Sequence, residues 1–241
     1  MNKNSIHIGT SGWNYKHWKV LFYPEDIPQK KWLEFYCQNF RTVELNNTFY
    51  RLPEKKTFET WRDNTPDDFI FSVKASRYIT HIKKLNDKEP IKEFLKRAKH
   101  LNKKLGPILF QLPPGWKFNE DRFNTFLDML PEKFQYTFEF RNESWWNEKV
   151  IDALKDHNSA FCIFEIAGTL SPKEVTADFI YVRLHGPDEA YQGSYNDKTL
   201  KGWANFFSKI KKEGKEIWCY FDNDQNAYAA HNASKLLEMV E

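Results

Sequence analysis

The sequence is 241 residues long, with 41% hydrophobic and 29% charged residues and a formal net charge of +3. A chain this apolar can bury enough surface to offset the entropy of ordering, which excludes an intrinsically disordered protein. No uncharged apolar run approaches the roughly 20 residues that cross a bilayer, and the charge is too small to indicate nucleic-acid binding.

The N-terminal residues Met1-Asn2-Lys3-Asn4-Ser5 lead directly into a strand-like segment, so we expect no signal peptide. Eight segments rich in Val, Ile, Phe, Tyr or Thr are predicted as strands. In chain order they are 6–11, 42–48, 69–75, 107–112, 136–141, 160–166, 179–185 and 217–222.

Segments of helical periodicity lie between these strands. Capping residues, prolines and glycines predict where the helices begin and end. A short helix after 160–166 is predicted from Ser171-Pro172-Lys173-Glu174, which has the form of a capping box. Further helix starts are predicted at Pro28, Asn119, Ser144 and Asp197, and helix ends at Gly106 and Gly214.

Eight strands alternating with helices imply parallel pairing through helical crossovers. No linker interrupts the alternation, so residues 1–241 are interpreted as one domain. The length fits a single (β/α)8 TIM-like barrel with long βα-loops at its C-terminal mouth. An open doubly wound sheet is the alternative, but no G-x-G-x-x-G follows the first strand and no cofactor motif is present.

Several strands alternate apolar and polar side chains, which is unusual for a parallel sheet covered by helices. In 179–185, Ile180, Val182 and Leu184 fall on one face, and Tyr181, Arg183 and His185 fall on the other. A barrel assigns the apolar face to the helices and the polar face to the lumen. Charged side chains are buried only when paired, so their convergence indicates a site.

Seven motifs follow one another along nearly the whole chain. They are GTSGWNYKHW at 9–18, VELNNTFY at 43–50, FSVKA at 71–75, GPILFQLPP at 106–114, FEFRNESW at 138–145, YVRLHG at 181–186 and YFDND at 220–224. Together they resemble the motifs of the YecE-like family, also called domain of unknown function 72. The resemblance implies a TIM-like barrel of the cytoplasm and supplies no activity. Three widely spaced cysteines, interpreted as reduced, also favour a cytoplasmic location.

The strand ends supply a candidate site, because barrel enzymes place their chemistry at the C-terminal face. Arginine forks and a lysine favour an anionic ligand, phosphorylated or carboxylated, and a hydrolase or isomerase reaction. The candidate catalytic residues are Glu44, Glu139 and His185. The candidate substrate-binding residues are Lys74, Gln111, Arg141, Arg183, Asn46, Trp13 and Asn223.

Other interpretations of the same residues stay open. The charged side chains could form a structural ion-pair network, or Glu44 and Glu139 could be the acid and base of a glycosidase. Aromatic residues beside the cations would suit a nucleic-acid-binding barrel of endonuclease-like type, and a non-catalytic ligand-binding module is a third possibility. A divalent metal has strand-end carboxylates and His185 available, but no H-E-x-x-H or H-x-H spacing supports it, so no metal ligand is assigned. The sequence indicates no oligomeric state.

Overall fold

A computed structural model describes residues 5–240 of the chain. The expectation of no signal peptide rests on Met1–Asn4, and these residues lie outside the described part, as does Glu241. The described strands are β1 (Ile6–Thr10), β2 (Thr42–Leu45), β3 (Ile70–Lys74), β4 (Leu105–Leu112), β5 (Tyr136–Phe140), β6 (Ala160–Ile166), β7 (Thr169–Leu170), β8 (Phe179–Leu184) and β9 (Glu216–Phe221).

Helices connect the strands and cover the outside of the sheet. They are α1 (Trp32–Asn39), α2 (Asn47–Tyr50), α3 (Lys55–Asp63), α4 (Lys88–Ala98), α5 (Glu120–Asp128), α6 (Glu148–Asp156), α7 (Asp197–Lys212) and α8 (Tyr228–Val240). Short 3-10 turns and one π-helical turn, Tyr78–Ile82, fill parts of the connections. Within residues 5–240, no helix combines the length and the apolar character that a membrane crossing requires.

Eight parallel strands form a nearly closed barrel in the order β1-β9-β8-β6-β5-β4-β3-β2. The ninth strand, β7, is a short antiparallel partner of β6 and lies off this path. The predicted (β/α)8 TIM-like fold is therefore confirmed, and the eight predicted strands correspond to β1–β6, β8 and β9.

The barrel closes between β1 and β2, where the two strands approach too closely for a side chain. The Gly12 N–H donates to the Glu44 carbonyl at 2.8 Å, and Ser11 forms a parallel bridge with Glu44. A Cβ on Gly9 would lie 2.3 Å from the Thr42 carbonyl oxygen. Glycine at position 9 is therefore required for the seam to close.

The core has two layers, which explains the alternation within the strands. Ile180, Val182 and Leu184 belong to the apolar layer between sheet and helices. A separate lumen cluster contains Tyr181, which packs beside Tyr220. The inward and outward faces predicted for 179–185 are confirmed.

Two predicted helix boundaries are wrong. Gly106 does not end α4 but lies inside β4, where a Cβ would come within 2.8 Å of the Ile70 side chain. Asn147, not Ser144, caps α6, accepting a hydrogen bond from the Val150 N–H at 3.2 Å. The Ser144 hydroxyl instead accepts from the Phe118 N–H at 2.9 Å. Capping patterns do not register such contacts between distant parts of the chain, so the spacing alone predicted both boundaries incorrectly.

The predicted helix at 171–174 is also absent. The Ser171 N–H donates to the Phe164 carbonyl at 2.9 Å, and its hydroxyl accepts from the Phe164 N–H at 2.9 Å. Both capping groups of Ser171 are thus occupied by strand β6 instead of a helix N-terminus. Asn119 caps α5 as predicted, and Gly214 follows α7 with φ 76°.

Candidate functional site

Arg183 lies at the centre of the polar lumen and is completely buried. Its Nη2 is 2.7 Å from Glu44 Oε1 and 3.0 Å from Asp222 Oδ2, and its Nη1 is 2.7 Å from Glu139 Oε2. One guanidinium therefore joins carboxylates from β2, β5 and the end of β9. Burial would lower the pKa of Arg183, but the three carboxylates outweigh it and raise that pKa well above its ordinary value.

Glu44 is buried beside Arg183 and has donors on both carboxylate oxygens. Oε1 accepts from the Ser11 hydroxyl at 2.6 Å in addition to Arg183. Oε2 accepts from the Tyr181 hydroxyl at 2.6 Å. With every oxygen occupied by the protein, this carboxylate is held in one orientation.

Glu139 is shared between two arginines. Oε1 accepts from Arg141 Nε, and Oε2 accepts from Arg183 Nη1 at 2.7 Å. Burial alone would raise the pKa of Glu139, but Arg141 and Arg183 outweigh burial and hold it well below its ordinary value. Glu139 is therefore an ionised anchor at neutral pH and a weak proton acceptor.

His185 faces two guanidinium groups and two carboxylates. Its Nε2 is 2.9 Å from Arg141 Nη2, 3.3 Å from Arg183 Nη1 and 3.6 Å from Glu139 Oε2. The two guanidinium groups are donors and are satisfied where Nε2 accepts, which is the tautomer with the proton on Nδ1. Nδ1 lies 3.0 Å from Asp222 Oδ2, although the N–H direction is too misaligned for a regular hydrogen bond.

Lys74 ends β3 on the same strand face as Ser72, whose hydroxyl reaches Tyr181 in the lumen. Its Nζ lies 4.5 Å from the centre of the Phe49 ring and, within residues 5–240, has no hydrogen bond or ion pair. Burial, followed by the nearby Arg183, lowers the pKa of Lys74 to about 8. The mouth thus holds one ammonium group without a direct counter-ion.

A cleft of about 510 Å³ opens beside the cluster at the C-terminal ends of β4, β5 and β6. Gln111 and Arg141 line it together with three aromatic side chains, Trp146, Phe164 and Tyr191. Arg141 lies over the Phe164 ring at 4.9 Å. Its Nε and Nη2 are occupied, while Nη1 has no partner in the described part of the chain.

Most of the predicted site residues converge, and three lie apart or serve another contact. Trp13 packs edge-on against Trp61, with ring centres 5.8 Å apart, in a groove between the first βα-loop and α3. Asn223 donates to the Gly193 carbonyl at 2.8 Å, tying the 186–196 loop to the barrel. Asn46 directly precedes α2, and its buried Oδ1 has no partner within residues 5–240.

The aromatic residues of the mouth differ in exposure, and Trp13, Tyr15 and Phe49 are half-buried. Trp18, Trp116, Trp145 and Tyr195 are buried and pack the long loops onto the barrel. Tyr50 and Tyr191 remain exposed, at 82% and 45% of their surface. Loop packing therefore accounts for most of the unusual aromatic content of these loops.

Three participants in the cluster were not assigned a role from the sequence. Ser11 and Tyr181 orient Glu44, and Asp222 contacts both Arg183 and His185. Strand parity already placed Tyr181 on the inward face, but nothing in the sequence paired it with Glu44. Within residues 5–240, no three His, Cys, Asp or Glu side chains are grouped so as to hold a metal ion.

Comparison with known proteins agrees with the motifs. A family model described as "Protein of unknown function DUF72" matches residues 7–241. The UPF0759 protein YunF of Bacillus subtilis is 26% identical over a 272-residue alignment covering 98% of this chain and 95% of YunF. The UPF0759 protein YecE of Escherichia coli K12 is 33% identical over 143 residues, 58% of this chain and 50% of YecE.

Solved structures show the same architecture. A DUF72 family protein of Thermotoga maritima superimposes with a TM-score of 0.89 at 28% identity, covering 98% of this chain and 99% of that one. A DUF72 family protein of Enterococcus faecalis gives 0.84 at 19% identity, with 98% and 95% covered, and so supports the fold alone. The chain thus belongs to the DUF72 family, and its polar lumen is built on that family's TIM-like barrel.

Proposed function

We propose that this chain is an enzyme that binds a small phosphorylated or carboxylated metabolite at the barrel mouth. The observation that carries the proposal is a pair of cations there that are incompletely neutralised within residues 5–240: Lys74, whose Nζ has no ion pair, and Arg141, whose Nη1 has no partner. Guanidinium and ammonium groups are the usual protein donors to phosphate and carboxylate.

The depth of the charges supports an anionic ligand more than their sum does. Arg183, Glu44 and Glu139 are completely buried and sum to one negative charge, which the contact between Glu139 and Arg141 offsets. Asp222 is the partly exposed carboxylate above them, with 12% of its side chain accessible. Lys74 and Arg141 therefore lie nearer the surface than two of the three carboxylates of the cluster, and the exposed Glu143 lines the same cleft as Arg141.

Strand pairing places Lys74, Gln111 and Arg141 on or directly after three neighbouring strands, β3, β4 and β5. Gln111 pairs in register with Glu139 of β5, and Lys74 pairs with Leu109 of β4. Lys74 and Arg141 are therefore separated along the strand direction as well as across β4, with Gln111 between them.

Within this proposal the buried residues position the ligand-binding groups. Arg183 has its donors occupied, and Glu44 and Glu139 serve as its anchors, although the sequence suggested them as proton carriers. His185, with Nδ1 toward Asp222, and Lys74 are the groups best placed to move a proton.

Calorimetric titration tests the proposal, using inorganic phosphate, glucose 6-phosphate and succinate, with neutral glucose as the control ligand. Arg141→Gln removes the free Nη1, so we expect at least about tenfold weaker anion binding, corresponding to loss of one charge-assisted contact. Arg62→Gln, in the last turn of α3 and therefore at the opposite end of the barrel, should bind like the parent protein.

Incubation of the same panel followed by NMR separates an enzyme from a ligand-binding module, since a module binds without turnover. A labelled DNA duplex titrated across a salt series tests the nucleic-acid alternative, because phosphate contacts weaken as salt rises. Absence of binding by every small anion at millimolar concentration would overturn the proposal.

A further inference from the structure

Lys74 differs from Lys104, a buried lysine of the same barrel, in having no polar partner for its ammonium group among the described residues. Lys104 is 4% exposed, and its Nζ donates to the carbonyls of Arg62 and Thr65 at 2.6 and 2.7 Å and contacts the Thr65 hydroxyl. Lys74 Nζ instead rests on the Phe49 ring. Lys104 is thus a structural lysine, whereas no hydrogen bond or ion pair within residues 5–240 engages the Lys74 amine.

The immediate wall around the Lys74 amine is uncharged. No carboxylate within residues 5–240 forms an ion pair with this amine, although Glu44, Glu139 and Asp222 are close enough to favour its charged form. Phe49 stacks edge-on with His81, with ring centres 5.1 Å apart. Burial, together with Lys74 and Arg77, lowers the pKa of His81 to about 4, so this imidazole is neutral at neutral pH. The backbone carbonyl of Lys74 accepts from the Thr48 hydroxyl at 2.6 Å, which fixes the strand end beneath the amine.

We propose that Lys74 is a nucleophile that forms a Schiff base with a small carbonyl compound bearing an anionic group. The inference rests on the proposed function, because the Arg141 side of the mouth receives the anion while Lys74 receives the carbonyl carbon. An unpaired amine on an aromatic wall, beside other cations, is a known arrangement for lysine nucleophiles.

The lowered pKa supplies the reactive form. With a pKa of about 8, about a tenth of the Lys74 side chains are neutral amines at pH 7. An ordinary lysine would have fewer than about one in a thousand. Neutrality is required because the nitrogen lone pair forms the new bond.

The reaction balances without any oxidant or second reactant. The Lys74 Nζ lone pair forms a C–N bond as the carbonyl π pair moves to oxygen, which takes a proton to give a carbinolamine. Loss of the hydroxyl with a proton as water then leaves the C=N bond. The net change is amine plus carbonyl to imine plus water, with protons exchanged with solvent at the open mouth.

Reductive trapping tests the inference on the intact protein. The protein is incubated separately with pyruvate, dihydroxyacetone phosphate or neutral acetone in the presence of cyanoborohydride, which reduces a C=N bond to a stable amine. We expect one adduct per chain, located on Lys74 by peptide mass mapping, with pyruvate or dihydroxyacetone phosphate. The two arms separate a carboxylated from a phosphorylated substrate, and acetone should label at least about tenfold more slowly because it lacks an anion.

Three lysine variants control the experiment. Lys74→Arg keeps the charge and removes the nucleophile, so it should lose the adduct while still binding phosphate in the calorimeter. Lys104→Arg, and Lys173→Arg at the lysine packed 4.2 Å from Trp203, should label like the parent protein. The labelling rate of Lys74 should rise as the pH approaches and passes about 8.

Two outcomes would overturn the inference: no adduct on Lys74 with any of the three carbonyl compounds, or adducts spread over lysines according to their exposure. If small anions bind and are turned over but no adduct forms, the proposed function stands and the Schiff base does not. If anions fail to bind at all, the proposed function fails as well. Mapping on the parent protein keeps the test valid even if a variant is unstable.

Discussion

Arg183 holds the lumen together, because one side chain forms ion pairs with carboxylates contributed by three strands. Its contacts to Glu44, Glu139 and Asp222 are between 2.7 and 3.0 Å, with no exposed surface on the Arg183 side chain. Buried charges in this arrangement depend on one another, since removing one partner leaves the others unpaired in a low-dielectric interior. The cluster is therefore both the floor of the site and a condition of folding.

Arg183→Met should lower the free energy of unfolding by about 3–5 kcal/mol, because it leaves three carboxylates without their shared cation. Urea denaturation followed by circular dichroism measures the change. Lys31→Met is the control, since Lys31 and Glu34 form a surface pair with side chains 56% and 62% exposed. It should cost less than about 1 kcal/mol. A loss of similar size in both variants would contradict the role assigned to Arg183.

Strand parity alone identifies most residues of this cluster. Alternation places Arg183 and His185 inward, and the barrel brings them against Glu44 and Glu139. Parity does not show which side chains pair. Only the side-chain contacts show that every donor nitrogen of Arg183 is engaged, whereas the Lys74 amine rests on an aromatic ring. The tertiary structure is therefore needed to distinguish a cation that can bind a ligand from one that positions other side chains.

Among the elements, the β1–β2 seam is the most constrained, because it closes the barrel through a glycine. Gly9→Ala would bring a Cβ to 2.3 Å from a backbone oxygen of Thr42, which only movement of the seam can relieve. We expect the variant to lose at least about 2 kcal/mol of stability or to fail to fold, as overpacking against backbone does.

Gly202→Ala is the matched control for that substitution. Gly202 lies within α7, and a Cβ there has no neighbour within 4 Å. Alanine is a better helix former than glycine, so this variant should gain up to about 1 kcal/mol. Thermal and urea denaturation compare the two. Equal effects of the two changes would show that the seam is not what makes Gly9 necessary.

Helix existence was predictable in this chain, whereas helix ends were decided by tertiary contacts. Apolar periodicity correctly marked the helices with Phe123 and Trp203 on their buried faces. Ser171 carries an N-cap pattern, yet β6 takes both of its capping groups. A serine can bond to the backbone of a helix N-terminus or to that of a neighbouring strand. The sequence spacing does not show that a strand competes for it.

At the scale of the whole molecule, acid stability should depend on carboxylates at both ends of the barrel. Burial raises the pKa of Glu139, Asp222 and Glu216, but neighbouring cations and hydrogen bonds outweigh it and lower all three. A carboxyl whose folded pKa is lowered stabilises the protein above its unfolded pKa, and this contribution is lost as the pH falls toward the folded value.

We therefore expect the urea midpoint to fall steadily below about pH 5, where unfolded carboxyls begin to take up protons. Glu139→Gln should flatten this dependence, because the folded and unfolded states of the variant no longer differ in proton uptake at that position. Urea titrations between pH 6 and pH 3 measure both slopes. Identical slopes for parent and variant would contradict the contribution assigned to Glu139.

Periodicity and motifs are local properties of the chain, and they were sufficient to predict the strands, their inward faces and the family. Side-chain packing decided which cations form ion pairs with buried carboxylates and which keep a donor available to a ligand. That outcome depends on distances between side chains from different strands, such as Arg183 from β8 and Glu44 from β2. Lys74 was one of the cationic candidates in the sequence, and only its packing against Phe49, without a counter-ion in the described part of the chain, distinguished it.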